Sequence, residues 1–162
     1  MRLLTWIVTL ILLCSCSVTH HVQIKKQPCL YPYIDYNFTL CHAFHYKVDN
    51  KTFKVPAGFT TDLASIPKIL WSIFSPNKAN TIPAAVIHDF LYFCPGKLTR
   101  IEADRIFYDA LISNNVKVGV AFKYWMAVRL FGEKHFHKGA YCTLSLTKII
   151  NSIGASRFLG VA

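Results

Sequence analysis

Residues 83–104 read PAAVIHDFLYFCPGKLTRIEAD, and this stretch decides the fold. Pro83 suits the first turn of a helix, where its missing N–H costs nothing, and Pro95-Gly96 ends that helix. The sequence TRIE at 99–102 is a capping box, which predicts a second helix reaching about Ile112. The short connection between the two helices leads us to expect that they pack antiparallel.

The flanking segments add strands before these helices and a further helix after them. Residues Leu40 to Tyr46 and Thr52 to Val55 are aromatic and β-branched, with Asp49-Asn50 between them as a turn, which predicts a β-hairpin. We expect a short apolar helix ending at Phe74 and a strongly apolar helix from Val118 to Phe131. The predicted fold class is α+β, with a small N-terminal β-hairpin packed on a bundle of three to four helices.

The composition is that of a folded chain with one domain. The protein has 162 residues, of which 53% are hydrophobic and 16% are charged, and this excludes a disordered chain. Lys and Arg number 18 against 8 Asp and Glu, which gives a formal net charge of +10. A basic surface attracts the phosphates of nucleic acids and of anionic lipids alike, so charge alone does not select the partner.

An export signal at the amino terminus narrows the choice of partner. Arg2 precedes an apolar run from Leu3 to Leu13, which is too short for a membrane helix and typical of a signal peptide. The sequence LCSC at 13–16 resembles the lipobox of bacterial lipoproteins and makes Cys16 the lipidated residue. The alternative is a plain signal peptide cut nearby, with Cys16 free. Ser17 after the anchor implies, by the same resemblance, a lipid-anchored protein of the bacterial outer membrane facing the periplasm.

These signals divide the chain into four predicted segments. They are a signal peptide (1–15), a tether (16–30), a globular α+β domain (31–138) and a basic C-terminal extension (139–162). We expect contact with membrane lipid through Cys16 and through a basic surface, and no nucleic acid, because export removes the protein from the cytoplasm. The basic surface includes Lys117, Lys123, Arg129, Lys134 and Lys138.

The remaining cysteines are typical of an oxidising compartment. Cys29, Cys41, Cys94 and Cys142 are an even number, which predicts disulfides. Four cysteines allow three pairings, and the sequence does not choose among them. Because no C-x-x-C pair is present, a zinc site is not expected.

A constellation of ionisable side chains marks the candidate site. His88 and Asp89 are adjacent in an otherwise apolar helix, where isolated ionisable groups are costly unless they are paired. His88 and Tyr92 are four residues apart and share a face, whereas Asp89 points about 100° away. Asp104 on the next helix can accept a hydrogen bond from either ring, which makes a base with an orienting carboxylate. The alternatives are a purely structural network of buried hydrogen bonds and a bound metal without turnover.

Four stretches of the chain resemble, in order and spacing, a phage and prophage family known as a domain of unknown function. The resemblance covers roughly residues 40–135 and implies no activity of its own. The stretches are VPAGFTTDLASIP at 55–67, AAVIHDFLY at 84–92, ADRIF at 103–107 and AVRLFG at 127–132.

The His-Asp-x-x-Tyr sequence, followed by an Asp on the next helix, also resembles the catalytic core of secreted bacterial phospholipases A2. This resemblance implies that His88 activates water, that Asp104 orients His88 and that Tyr92 steadies Asp104. It further implies a calcium ion held by Asp89, with Asp62 in the loop from Gly58 as the second carboxylate.

Two functions from different classes follow from these observations. The first is a membrane-anchored phage or prophage lipoprotein with a His/Asp site for phospholipase A2-like, calcium-dependent ester hydrolysis. The second is a non-enzymatic envelope lipoprotein that binds a host receptor or channel and mediates superinfection exclusion.

Overall fold

The structure, a computed structural model, describes residues 19–33, 37–63 and 79–137. Several predicted features lie outside these residues: the signal peptide, Cys16, the short helix ending at Phe74, Cys142, Lys138 and the C-terminal extension. Among the described residues, no helix has both the length and the apolar character that crossing a bilayer requires.

Six short strands precede the helices. In chain order they are β1 (Val22–Gln23), β2 (Leu30–Pro32), β3 (Phe38–Leu40), β4 (Phe44–Val48), β5 (Lys51–Val55) and β6 (Thr60–Thr61). They form two three-stranded sheets, ordered β1-β4-β5 and β2-β3-β6, in which every pair is antiparallel.

The predicted hairpin is formed by β4 and β5, which confirms the turn at Asp49-Asn50. Asp49 has a φ of 54°, in the left-handed region that Asp tolerates in tight turns. Alternate residues of β4 are buried, as expected for a strand with one face on the core: these are Phe44, Tyr46 and Val48.

The hairpin begins later in the chain than predicted, because Leu40 belongs to the other sheet. Leu40 pairs with Leu30 in the register of β2 and β3, and its backbone N–H donates to the Phe59 carbonyl at 3.0 Å. The apolar run therefore contains the end of one strand and the start of another. Periodicity alone does not reveal such a break.

The segment placed in the tether is docked on the domain from His20 onward. Val22 is buried and pairs with Val48, and the backbone N–H of His20 donates to the Asp109 carboxylate at 2.8 Å. A strand of two residues is too short to show the alternation by which strands are recognised in sequence.

Three helices follow the strands, and all three confirm the prediction. They are α1 (Ile82–Phe93), α2 (Arg100–Ser113) and α3 (Val118–Phe131), with a 3₁₀ turn at Glu133–His135. The predicted capping box starts α2: the Thr99 backbone N–H donates to the Glu102 carboxylate at 2.7 Å, and the Glu102 N–H donates to the Thr99 hydroxyl at 3.3 Å. α2 packs against both α1 and α3.

One of the disulfide pairings left open by the sequence is present. Cys29 and Cys41 are bonded, which joins the residue before β2 to the residue after β3. Cys94, directly after α1, is disulfide-bonded as well.

The sheets and helices share one core, and this arrangement positions the candidate site. β6 contacts α1 and so brings the loop around Thr61 to the helix that contains His88 and Asp89. The fold is therefore α+β as predicted, with two small sheets in place of a single hairpin.

Candidate functional site

The centre of the site is the carboxylate of Asp104 on α2, which is fully buried. Its Oδ1 accepts hydrogen bonds from the Tyr92 hydroxyl at 2.5 Å and from His88 Nε2 at 3.0 Å. Its Oδ2 accepts from Arg129 Nη1 at 2.7 Å. One carboxylate thus joins all three helices, and the predicted contacts of Asp104 with both rings of α1 are present.

The surroundings of Asp104 keep it ionised. Burial by itself would raise its pKa. The hydrogen bonds from His88, Tyr92 and Arg129, together with the charge of His88, outweigh burial and hold the pKa of Asp104 below its ordinary value. Because an ionised carboxylate can only accept, the hydrogen of this bond belongs to His88 Nε2, which is the donor.

His88 is packed between aromatic rings. Its side chain is 2% exposed, and its ring centroid lies 4.0 Å from that of Tyr92 and 4.6 Å from that of Phe107. Burial lowers the pKa of His88, but the hydrogen bond and charge of Asp104 and the nearby carboxylate of Asp89 outweigh it and raise the pKa above its ordinary value.

The second ring nitrogen of His88 faces Asp89. Nδ1 lies 3.9 Å from Asp89 Oδ1, which is too long for a hydrogen bond. The two nitrogens therefore lie in different environments: Nε2 is bonded to Asp104, whereas Nδ1 faces the Asp89 carboxylate. Asp104 and the neighbouring rings fix the orientation of the imidazole.

The upstream loop does reach Asp89, through a residue that the sequence did not single out. The Thr61 hydroxyl donates to Asp89 Oδ2 and itself accepts from the Leu63 backbone N–H at 3.0 Å. Asp62, the residue predicted to contribute a calcium ligand, is exposed between them. Within the described ranges, no three His, Cys, Asp or Glu side chains are grouped as a metal site.

Arg129 is a member of the network that the sequence analysis assigned only to the basic surface. Its guanidinium neutralises Asp104, and its backbone carbonyl accepts from Arg100 Nη1 at 3.1 Å. Its position in the sequence could have identified it, because Arg129 follows Ala127 and Val128, two buried residues of an apolar helix. A buried carboxylate is costly unless a cation pairs with it, and Arg129 is close enough to do so.

Gly132 lets the chain pass close to Tyr92 directly after α3. A Cβ on Gly132 would lie 2.7 Å from the Tyr92 hydroxyl oxygen and 2.5 Å from the Val128 carbonyl oxygen. The Tyr92 carbonyl accepts from the His137 N–H at 3.0 Å. Burial and the adjacent Asp104 raise the pKa of Tyr92, so its hydroxyl remains a donor to the carboxylate at neutral pH.

Comparison with known proteins places the site inside a family of unknown function. Residues 38–128 match the family model described as "Protein of unknown function (DUF1353)", and His88, Asp89, Tyr92 and Asp104 lie within this range. The Uncharacterized protein y4jT of Sinorhizobium fredii (strain NBRC 101917 / NGR234) is 39% identical over 80 residues, which are 48% of this chain and 23% of that protein. The match thus spans less than a quarter of the relative. No solved structure matches.

Proposed function

The chain belongs to the DUF1353 family, and we propose that it is a lipid-anchored phage or prophage protein of the bacterial envelope that hydrolyses an ester, with His88 as the general base. The observation that carries this proposal is the unequal use of the two His88 nitrogens. Nε2 donates to Asp104 at 3.0 Å, whereas Nδ1 lies 3.9 Å from Asp89 Oδ1. The lipoprotein signal directs the proposal to phospholipid esters or other esters of the envelope.

The reaction needs one proton to leave water and return to the alcohol. His88 Nδ1 takes a proton from a water molecule, whose oxygen attacks the carbonyl carbon of the ester. The tetrahedral intermediate then loses the alcohol, which takes the proton from Nδ1 as the C–O bond breaks. Asp104 remains ionised and stabilises the imidazolium between these steps, as orienting carboxylates do. One water is consumed, and an acid and an alcohol are released.

The approach to His88 in this proposal is from the Asp89 side. The His88 side chain is 2% exposed and the Asp89 side chain is 9% exposed. The assay is run with and without calcium, but no step of the mechanism is assigned to calcium. The reason is that the described residues do not form a group of metal ligands around Asp89.

The test uses the full-length protein in mixed micelles of detergent and phosphatidylglycerol, with release of fatty acid as the readout, in calcium and in EDTA. The variant His88→Gln keeps an N–H donor near the Nε2 position and removes the base. His45→Gln, at an exposed position of β4, is the matched control. We expect His88→Gln to lower the rate by about 10²–10⁴-fold in protein that circular dichroism shows to be folded under the assay conditions. A folded His88→Gln protein with full activity would refute the proposal.

A second candidate function is favoured by the burial of the site. Because His88 is 2% exposed and Asp104 is fully buried, the network also fits a structural joint in a non-enzymatic lipoprotein that binds a host receptor or channel and excludes superinfecting phage. Phage adsorption and DNA entry are measured in cells that express wild type, His88→Gln or Cys16→Ser protein. Protection that survives His88→Gln but needs Cys16 supports this function. Unchanged adsorption and entry with wild-type protein exclude it.

A further inference from the structure

The outer face of α3 is unusually apolar for a surface in contact with water. Nine large hydrophobic side chains are exposed among the described residues, and six of them lie on this one helix. Contiguous apolar surface of this kind marks an interaction site. The six are Val118, Val120, Phe122, Met126, Leu130 and Phe131.

The exposed residues are arranged as a stripe. Val118, Phe122, Met126 and Leu130 follow one another at intervals of four, which places them along one side of the helix. Leu130 is 66% exposed and Phe122 is 51% exposed. The opposite side of α3 is buried on the core through Ala121, Tyr124, Ala127 and Val128. Both sides of α3 are therefore apolar, and such a helix suits an apolar environment on its outer side in addition to the protein core on its inner side.

The charges around the stripe indicate the kind of surface that it meets. α3 contains no Asp or Glu, and exposed lysines stand at its start (Lys117), within it (Lys123) and after it (Lys134). The acidic residue nearest its end is Glu133, in the following 3₁₀ turn. The Arg129 guanidinium binds Asp104, whereas the three exposed lysines lie at the two ends of the helix and along it. An apolar stripe flanked by lysines is the pattern of a helix at the surface of an anionic bilayer.

We propose that the outer face of α3 lies in the headgroup boundary of an anionic bilayer and orients the domain on the membrane. The inference rests on the lipid-anchored location in the proposed function and is independent of ester hydrolysis. A helix of 14 residues is about 21 Å long, too short to cross the hydrocarbon core of about 30 Å, so it lies in the plane of the surface. A second copy of the chain is the less suitable occupant, because two such faces would bring lysines against lysines on a protein with a net charge of +10.

The test is a depth measurement on the full-length lipoprotein, reconstituted through its own anchor. A fluorescent non-natural residue replaces Leu130 in one protein and Ile101 in another. Ile101 is the matched control, because it is 65% exposed against 66% for Leu130 and lies on α2. The vesicles contain phosphatidylcholine and phosphatidylglycerol, with or without bromine on the acyl chains as the quencher. We expect brominated lipid to remove more than half of the fluorescence at position 130 and to leave position 101 unchanged. Equal quenching at the two positions, or none at 130, overturns the proposal.

Two further arms separate the other outcomes. Phe122→Asp should abolish quenching at position 130 while the far-ultraviolet circular dichroism and the rate of ester release in detergent micelles stay at their wild-type values. Equal quenching at 130 in pure phosphatidylcholine overturns the role assigned to the lysines. Energy transfer between labelled copies in the absence of lipid identifies a second copy as the occupant and overturns the proposal. Failure of ester hydrolysis with quenching at 130 intact affects the enzyme assignment alone.

Discussion

Removal of the charge on Asp104 should destabilise the protein severely, and the variant Asp104→Asn measures by how much. Asn has the volume of Asp, so no cavity is created. If its oxygen stays toward His88 and Tyr92, its amide N–H₂ meets the Arg129 guanidinium, and two donors face each other. If the amide is reversed, the N–H₂ faces His88 and Tyr92. Both orientations break bonds that the structure shows at 2.5–3.0 Å.

The expected cost follows from the number and kind of these bonds. A hydrogen bond with a charged partner contributes about 1.5–3 kcal/mol, and removal of one member of a buried pair costs roughly 3–5 kcal/mol. The Arg129 side chain is 25% exposed, so water compensates part of its loss. We therefore expect a decrease of about 3 kcal/mol in the free energy of unfolding, or roughly 6–12 °C in Tm for a chain of this size.

The assay is urea unfolding of the full-length protein in detergent, followed by far-ultraviolet circular dichroism. Glu102→Gln is the matched control, since it also removes one charge from α2, lies at an exposed position and leaves a residue that suits a capping box. Its cost should stay within about 0.5 kcal/mol. If Asp104→Asn lost no more than the control, the joint between the three helices would be energetically unimportant and the reasoning would be wrong.

Three other changes test neighbouring parts of the structure. The raised pKa of His88 contributes stability that is complete below the ordinary histidine pKa of 6.5 and is lost as the pH rises through the higher pKa of the folded state. The lowered pKa of Asp104 contributes stability that is complete above the ordinary aspartate pKa of 3.8 and is lost as the pH falls through the lower pKa of the folded state. Urea titrations from pH 3 to 9 should therefore show a maximum between these limits, and His88→Gln should flatten the alkaline side. Gly132→Ala should cost about 1–3 kcal/mol in thermal unfolding, because its Cβ would meet the Tyr92 hydroxyl at 2.7 Å. Thr99→Ala should cost about 1 kcal/mol in the same assay, since it removes a helix cap.

The parts of the fold that could be predicted are those with a local cause. The capping box at Thr99, the turn at Asp49 and the apolar period of α3 each need only a few adjacent residues, and the structure places all three as expected. β1 could not be predicted, because its pairing partner is β4, more than twenty residues away, and two residues have no detectable period. The same holds for the division of the strands into two sheets, which depends on the contact of Leu40 with Phe59.

The candidate site was predictable where its contacts are local in sequence and not where they join distant segments. His88 and Tyr92 share a helix face, and the short connection to α2 brings Asp104 to that face. Thr61 lies 28 residues before Asp89 in the chain, and Arg129 lies 25 residues after Asp104. Only tertiary packing decides which side chains residues at such separations meet. The sequence thus identified the members of the network on α1 and α2 and missed the side chains from β6 and α3 that contact them.

The reciprocal contact between α2 and α3 has a consequence for how the protein opens. Arg129 of α3 reaches Asp104 of α2 with its side chain, and Arg100 of α2 reaches the backbone carbonyl of the same Arg129. Separation of either helix therefore ruptures both links at once and also removes the acceptor on which His88 depends. A state in which only one helix has separated is therefore not stable, and the amide hydrogens of the three helices should exchange as one cooperative unit. The short strands can unfold locally and exchange separately.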